Sequence, residues 1–339
     1  MIKYFIFVTV VGFMYWVGAQ NEEAIPMEDM QLQKVLEGLG AEKSPNYADK
    51  ILPGATLEIG ENIVKYGNSK GLDGSFTKRQ SKHFVCTSCH NIEQESAFLN
   101  IEDPQERLEY TNEKGLPFVQ GSPLYGIVNR VSFYNDDYEK KYGDLVFKAR
   151  NDIREAIQLC AVECSQGRSL KDWEIESILM YLWSIDLKIK DLVFTMEELD
   201  MLESAIYEGQ KQKEAIALLE SKYLDRAPAT FTNPPANYKK GFEQITGNPE
   251  NGKMIYENGC LHCHMKNDYS YYELDKEKLS FKQLKNRMKL YDERSFYHVN
   301  RYGTKPLGGR KAYMPHYTKE KMSDQQLEDL RSYIIQQSK

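Results

Sequence analysis

The spacing of apolar residues predicts two groups of helices, each opening with a short helix and closing with an amphipathic one. The first group opens over residues 55–65, which carry Leu57, Ile59, Ile63 and Val64. After Ser169, a predicted N-cap, apolar residues recur at i, i+3, i+4 and i+7: Ile175, Ile178, Leu179 and Leu182. The chain between these helices is rich in Gly and Pro, which predicts mostly loop.

The second group has clear capping signals at both ends. Asn248 can cap a helix that has Pro249 at its first position. Residues 323–326 form a capping box before a last helix whose apolar face is Leu327, Leu330 and Ile334. We expect Gly252 and Tyr256 to lie where the first helix of this group meets the last.

The remaining segments predict a leader and a connector. Residues 20–54 are polar with three prolines, which predicts a loosely held leader. Residues 196–224 contain one glycine among many Glu, Lys, Leu and Ala, which predicts a single long helix. Prolines at 228, 234 and 235 then predict a linker. The chain is therefore expected to be mainly α, with domains over 55–188 and 248–339 joined by a helical, Pro-containing connector over 189–247.

The N-terminus predicts export. Lys3 precedes an apolar run over residues 4–17, and small residues at 18 and 19 offer a cleavage site, so residues 1–19 are predicted to be a signal peptide. An uncleaved anchor is the alternative, although the run is shorter than the roughly 20 residues that span a bilayer. The protein is expected to be periplasmic or otherwise exported, with no membrane span after cleavage.

Four of the six cysteines form two Cys-x-x-Cys-His motifs. The first runs from Cys86 through Cys89 to His90, and the second from Cys260 through Cys263 to His264. In an exported protein this motif predicts covalent haem attachment, because two thiols at this spacing reach the two vinyl groups of one porphyrin and the histidine binds the iron. Tetrahedral zinc is the alternative. We expect two covalently bound haem c groups.

Charge and composition narrow the range of partners. Hydrophobic residues make up 41% of the chain and the net charge is −6, which argues against a nucleic-acid-binding surface. From Pro249 onward there are 17 Lys and Arg against 12 Asp and Glu, whereas the rest carries 27 against 38. Opposite net charges on two parts of a chain favour electrostatic docking, either between them or with a redox partner. Drift in surface composition is the alternative.

The order of helix, haem motif, loops and terminal helix resembles a class I cytochrome c domain, and it occurs twice. In such domains the sixth iron ligand is often a Met that precedes Pro, as Met314 precedes Pro315 here. The resemblance implies Met314 as an iron ligand, which would raise the potential. A core methionine is the alternative, and Met288 and Met322 are competing candidates.

The first unit resembles the thiosulfate dehydrogenase family and the A subunit of the Sox sulfur-oxidising complex. The similar residues are Cys160, seven before Gly167, the helix from Trp173 to Trp183, and the upstream runs 121–127 and 133–134. The resemblance covers roughly residues 55–188, and it implies Cys160 as the sixth ligand of the first haem.

Other arrangements at the first haem stay open. Cys160 and Cys164 could form a disulfide, although a four-residue helical spacing strains that bridge. They could also be buried structural thiols, and Cys164, Met180 or His83 could bind the iron instead. The families usually have an Arg one turn before the Cys, but Ala156 stands there. Arg154 is therefore the nearest candidate for binding an anionic substrate, and Arg130 and Arg150 are further candidates.

Three functions remain on this basis. The first is an electron carrier that passes electrons from a low-potential first haem to a His/Met second haem, and then to other cytochromes or an oxidase chain. The second is an enzyme at the first haem that acts on thiosulfate or a similar small sulfur anion, with Cys160 and Arg154 in catalytic roles. The third is a dihaem peroxidase, which Met314 disfavours because it would block an open iron site.

Overall fold

The computed structural model describes residues 25–71, 73–304 and 314–339. Within these ranges the chain is mainly helical, and its only β-type pairings are three isolated bridges. No helix in the same ranges combines the length and apolar character needed to cross a bilayer. The predicted signal peptide over 1–19 lies outside the described residues, as do Ala312 and Tyr313 beside Met314.

The first unit is built around two crossing helices, α2 (Leu57–Tyr66) and α7 (Asp172–Ser184). Four further helices lie between them in sequence: α3 (Pro104–Lys114), α4 (Glu139–Tyr142), α5 (Val146–Ala149) and α6 (Ile153–Leu159). A π-helical turn, Cys160–Cys164, extends α6. Helix α7 begins two residues later than predicted. Its N-cap is Lys171 rather than Ser169, because the backbone of Leu170 is held outside the helix by two hydrogen bonds with the Gln158 amide.

The second unit has the same plan with fewer intervening residues. Helix α10 (Pro249–Ile255) continues through a π-helical turn, Tyr256–Cys260, into α11 (Leu261–His264). It is completed by α12 (Lys278–Arg287), α13 (Phe296–Tyr302) and α14 (Asp324–Gln337). The predicted caps are confirmed. The Asn248 side chain accepts a hydrogen bond from the Glu250 amide, and Ser323 and Gln326 form the capping box.

A glycine lies at the crossing of the opening and closing helices in both units. A Cβ at Gly60 would lie 1.8 Å from the carbonyl oxygen of Ser177 in α7, and a Cβ at Gly252 would lie 2.0 Å from that of Asp329 in α14. The expected contact of Gly252 and Tyr256 with the terminal helix is confirmed, since the Tyr256 ring also packs on Tyr333 at 5.6 Å between centroids. Only glycine lets the two backbones approach this closely.

A third hydrophobic core lies outside both units. It joins α1 (Leu32–Gly38) to α8 (Met196–Glu208) and α9 (Gln212–Ser221), and Leu32, Leu202 and Leu219 are fully buried in it. The structure therefore differs from the prediction of a loosely held leader, because the apolar face of α1 has a partner that is distant in sequence. The predicted single long helix is two helices, since Gly209 and Lys211 take left-handed backbone conformations between them.

Helix α3 connects the two units. Although it belongs to the first unit in sequence, Leu108 on α3 and Phe118 just after it are fully buried in the core of the second unit. The buried Arg107 guanidinium forms an ion pair with Glu95 at 3.1 Å and donates to the carbonyl of Lys321 at 2.8 Å. The two units are thus packed together through a shared core and a buried charge network.

Candidate functional site

The first Cys-x-x-Cys-His motif places its histidine with one ring nitrogen free. Cys86–Ser88 forms a 3₁₀ turn, and the Nδ1 of His90 lies 2.6 Å from the carbonyl oxygen of Ser122. Because a carbonyl only accepts, Nδ1 carries the proton and Nε2 keeps its lone pair for a metal. Gly121 makes this contact possible, since a Cβ there would lie 2.4 Å from the His90 ring.

The second motif repeats this arrangement with different neighbours. The Nδ1 of His264 lies 2.5 Å from the carbonyl oxygen of Tyr272, so its Nε2 is likewise left to accept a metal. The same fixed tautomer thus appears at both motifs. A ring hydrogen bond of this kind is the usual support of a histidine that binds iron or zinc.

The surroundings of the cysteines suit an uncharged sulfur. Burial raises the pKa of the Cys86 thiol to about 11 and that of Cys260 to about 12. A thioether bond to a porphyrin leaves the sulfur neutral, so covalent attachment is compatible with this burial. A structural zinc site needs four converging ligands. Among the residues that the structure describes, no three His, Cys, Asp or Glu side chains form such a group.

Buried cations lie beside the first motif. The Nη1 atom of Arg130 is buried and has no hydrogen-bond partner in the described part of the chain. Burial lowers the pKa of both Arg130 and Lys321. Burial also lowers the pKa of His90, and the nearby charge of Lys321 acts in the same direction. A buried guanidinium with an unused donor fits a carboxylate of a bound group. The propionates of haem c are such carboxylates.

The Met314 backbone is held at two points. Its amide donates to the Thr304 hydroxyl at 2.7 Å, and its carbonyl accepts from the Thr304 amide at 3.0 Å. Three residues later, the Tyr317 hydroxyl donates to the Phe118 carbonyl, and burial together with the nearby thiols of Cys260 and Cys263 raises the pKa of Tyr317. The segment that carries Met314 therefore runs close to the second motif.

Cys160 and Cys164 lie on one π-helical turn and are hydrogen-bonded to each other. The electrostatic neighbours of Cys160 include Cys86 and Cys89, so this turn lies close to the first motif. The sulfur of Cys164 lies 3.4 Å from the Tyr142 hydroxyl and 3.9 Å from that of Tyr134. The bond from Cys160 and those from the tyrosines lower the pKa of Cys164, while the pKa of Cys160 is raised. Sequence reasoning gave no sign of Tyr142.

Arg154 lies in a structural ion pair. Its guanidinium donates to the buried Glu176 carboxylate at 2.6 Å and 3.2 Å, and to the Tyr47 carbonyl at 2.7 Å. Arg150 pairs with Asp136 and Glu139. Both guanidinium groups therefore pair with protein carboxylates, although the Nε atom of Arg150, like the Nη1 atom of Arg130, has no partner among the described residues.

The two motifs contact each other directly. The Nε2 of His262, between Cys260 and Cys263, lies 3.2 Å from the carbonyl oxygen of Ser88, between Cys86 and Cys89. The Tyr269 hydroxyl also lies close enough to the Ser88 side chain to interact with it. Nothing in the sequence signals this contact, because about half of the chain separates the two motifs.

The paired cysteines, the fixed histidine and the helical frame around the second motif are those of a c-type cytochrome domain. Residues 247–334 match the family model described as "Cytochrome C oxidase, cbb3-type, subunit III". The C-terminal part of the chain is thus a cytochrome c domain, the class that binds haem c covalently and passes electrons to other redox proteins. No curated protein and no solved structure matches the chain.

Proposed function

We propose that the protein is an exported c-type cytochrome with two haems that transfers electrons between redox proteins. The observation that carries the proposal is the repeated histidine geometry. His90 and His264 each follow a Cys-x-x-Cys pair, and each has Nδ1 bonded to a backbone carbonyl so that Nε2 is free. The family match covers only the second motif, so the first haem rests on this shared geometry and on the buried Nη1 atom of Arg130, which has no partner among the described residues.

The proposal assigns a role in haem binding to the motif residues and to Cys160 and Met314. Cys86 and Cys89 hold one haem and Cys260 and Cys263 the other, with His90 and His264 as iron ligands. Haem c supplies reversible one-electron transfer when bound. Cys160 is the sixth ligand of the first haem and Met314 that of the second. Thiolate ligation usually gives a lower potential than His/Met ligation, so electrons pass from the first site to the second.

The proposal extends to location and partners. A signal peptide over residues 1–19 directs the chain to the periplasm or its equivalent, where the cysteine motifs are matured. Other cytochromes or the proteins of an oxidase chain accept the electrons. The net positive balance after Pro249 and the negative balance before it give such partners two surfaces of opposite charge.

Haem counting tests the proposal. The full chain is produced in cells that mature c-type cytochromes, and the intact protein is weighed and stained for covalent haem. We expect the mass of two haems in the wild type and of one haem in each double variant, Cys86→Ala/Cys89→Ala and Cys260→Ala/Cys263→Ala. Cys160→Ala/Cys164→Ala is the matched control and should keep both haems. One haem in the wild type would overturn the two-haem proposal, and a colourless protein would overturn it entirely.

A thiosulfate dehydrogenase or Sox-type sulfur oxidoreductase is the second candidate function. The closeness of the Cys160–Cys164 turn to the first motif favours it, because it allows a thiolate on that iron. In this case Arg130, and not the paired Arg154, is the cation that meets the sulfur anion.

Spectroscopy and an activity assay separate the two candidates. A low-spin thiolate signal in the EPR spectrum of the oxidised protein should disappear in Cys160→Ala and persist in Cys164→Ala. The reverse pattern would assign the ligand to Cys164. Thiosulfate-dependent reduction of ferricyanide that is lost in Arg130→Gln would support the sulfur oxidoreductase. A protein that does not react with thiosulfate would support the electron carrier.

A further inference from the structure

The contact between the two haem-attachment turns has a consequence for electron transfer within the protein. Ser88 precedes Cys89, and His262 precedes Cys263. The hydrogen bond between the Ser88 carbonyl and the His262 ring therefore joins two cysteines that the proposed function links to different haems. Since the carbonyl can only accept, the Nε2 of His262 carries the proton and donates.

This contact gives a short path of bonds. From the Cys89 sulfur the path follows the backbone to the Ser88 carbonyl, crosses one hydrogen bond to the His262 ring, and returns along the backbone to the Cys263 sulfur. The two sulfurs are also near in space, since the Cys263 thiol is the largest cause after burial of the raised pKa of Cys89.

The neighbouring structure keeps the two turns together. The amide of Phe118, beside the first turn, donates to the Asn258 carbonyl at 3.0 Å, just before the second turn. A Cβ at Gly259 would lie 3.1 Å from the Phe118 carbonyl oxygen, which shows how closely the segments approach. The Tyr269 hydroxyl also interacts with the Ser88 side chain.

We infer that His262 is a positioning residue for electron exchange between the two haem sites, which it joins through its hydrogen bond to Ser88. The inference rests on the proposed function, because it requires a haem on each turn. In the exchange one electron leaves the ferrous iron of one site and reduces the ferric iron of the other. No bond is formed or broken and no proton moves.

Another route is present and serves as the rival. An aromatic cluster links the Cys164 side of the first unit to the Met314 segment: Tyr134, Tyr138, Tyr142, Phe231 and His316. Rings at these separations can also carry electrons in steps. None of these five rings belongs to an attachment turn, so substitutions distinguish the two routes.

The test uses the full-length haem-loaded protein. A pulse of reductant supplies less than one electron per molecule, and the redistribution of that electron between the two haems is followed by their separate absorption bands. His262→Phe keeps a ring but removes the donor, and we expect redistribution to slow several-fold. His262→Gln restores an N–H donor and should recover part of the rate. His298→Phe, a histidine on α13 away from the turns, should match the wild type.

The outcomes separate this inference from the proposed function. Fewer than two haems by mass would overturn the proposed function and the inference with it. Two haems with an unchanged rate in His262→Phe, or an equal slowing in Tyr138→Leu, would overturn the inference alone. If His262→Phe loses its second haem, Tyr269→Phe removes the other contact to Ser88. It should then slow redistribution to a smaller extent, and an unchanged rate there would also count against the inference.

Discussion

The first and second units keep the same two features and differ in the chain between them. In both, a glycine lets the opening and closing helices cross in contact, and a backbone carbonyl fixes the motif histidine. In the second unit, α10 runs through a π-helical turn directly to Cys260. In the first, residues 67–85 intervene between α2 and Cys86.

The additional chain of the first unit has two uses. One part, α3 with Phe118, packs into the core of the second unit. The other ends in the π-helical turn that carries Cys160 and Cys164. The helix crossing and the histidine support are thus common to the two units, while the segments between them differ and build either a contact between the units or a cysteine-bearing turn beside the first motif.

The largest expected effect comes from the buried ion pair that joins the units. Arg107→Met leaves the Glu95 carboxylate without its buried cation, and we expect a loss of about 3–5 kcal/mol in the free energy of unfolding. Denaturant titrations followed by circular dichroism and by haem absorption measure it. Lys65→Met, in the exposed Lys65–Glu61 pair, is the control and should cost about 0.5 kcal/mol or less. Separate transitions for the two haems in the wild type would contradict a shared core.

The glycine crossings should be nearly as sensitive, and equally so in both units. Gly60→Ala and Gly252→Ala each push a Cβ into a backbone carbonyl, and we expect each to cost about 3 kcal/mol because two packed helices must separate. Thermal unfolding measures the loss. Gly38→Ala, on α1 with open space around its Cβ position, should be neutral or slightly stabilising. A tolerated Gly60→Ala would mean that the crossing is not essential in the first unit.

The units should also differ in their response to pH. The comparison is between two buried carboxyl groups. In the second unit, the Glu328 carboxylate has a hydrogen-bond donor, the Tyr297 hydroxyl at 2.6 Å. Asp186, just after α7, is buried with one oxygen unpartnered among the described residues, and burial raises its pKa to about 6. The raised pKa means that the folded state favours the protonated carboxyl of Asp186. Below about pH 4 the carboxyl is protonated in both the folded and the unfolded state, so folding carries no penalty there. The protein loses stability as the pH rises through 6, because the buried carboxyl must then ionise.

Asp186→Asn removes this dependence. We expect the variant to be more stable than the wild type by about 2 kcal/mol at pH 7.5 and equal to it at pH 4. Denaturation curves across that range measure the difference. If the free energies of unfolding of the two proteins changed with pH in the same way, burial would not be destabilising the Asp186 carboxylate.

The smallest expected effect lies at the sulfur pair. Tyr142→Phe removes a hydroxyl 3.4 Å from the Cys164 sulfur. Under the proposed function, in which Cys160 binds the iron of a first haem, a weaker hydrogen-bond network around the sulfur pair increases electron donation by the thiolate. The potential of that haem should then fall, by the equivalent of about 1 kcal/mol or less. Spectroelectrochemical titration measures both potentials. The second haem should not respond, and equal shifts at both haems would contradict a sulfur ligand confined to the first.

Features set by neighbouring residues were predictable from the sequence, whereas features set by contacts between distant segments were not. The caps at Asn248 and Ser323 depend on residues within one turn, and both are confirmed. The packing of α1 depends on α8 and α9, which lie more than 150 residues away, so its polar context predicted a loose leader instead. The motif cysteines and histidines were found by spacing. The Ser122 and Tyr272 carbonyls were not, because any residue can supply a backbone oxygen.

The position of α3 also limits how far the protein can be divided. Leu108 and Phe118 fill space in the core of the segment that the family model matches, although both lie well outside that segment in sequence. In a fragment starting at residue 247, the apolar residues that Leu108 and Phe118 cover would be exposed to water. The hydrogen bonds that Tyr317 and Asn258 form with the backbone of Phe118 would also be lost. The C-terminal cytochrome domain is therefore not structurally independent. Produced alone, it would need a replacement for a helix that lies some 140 residues upstream in the sequence.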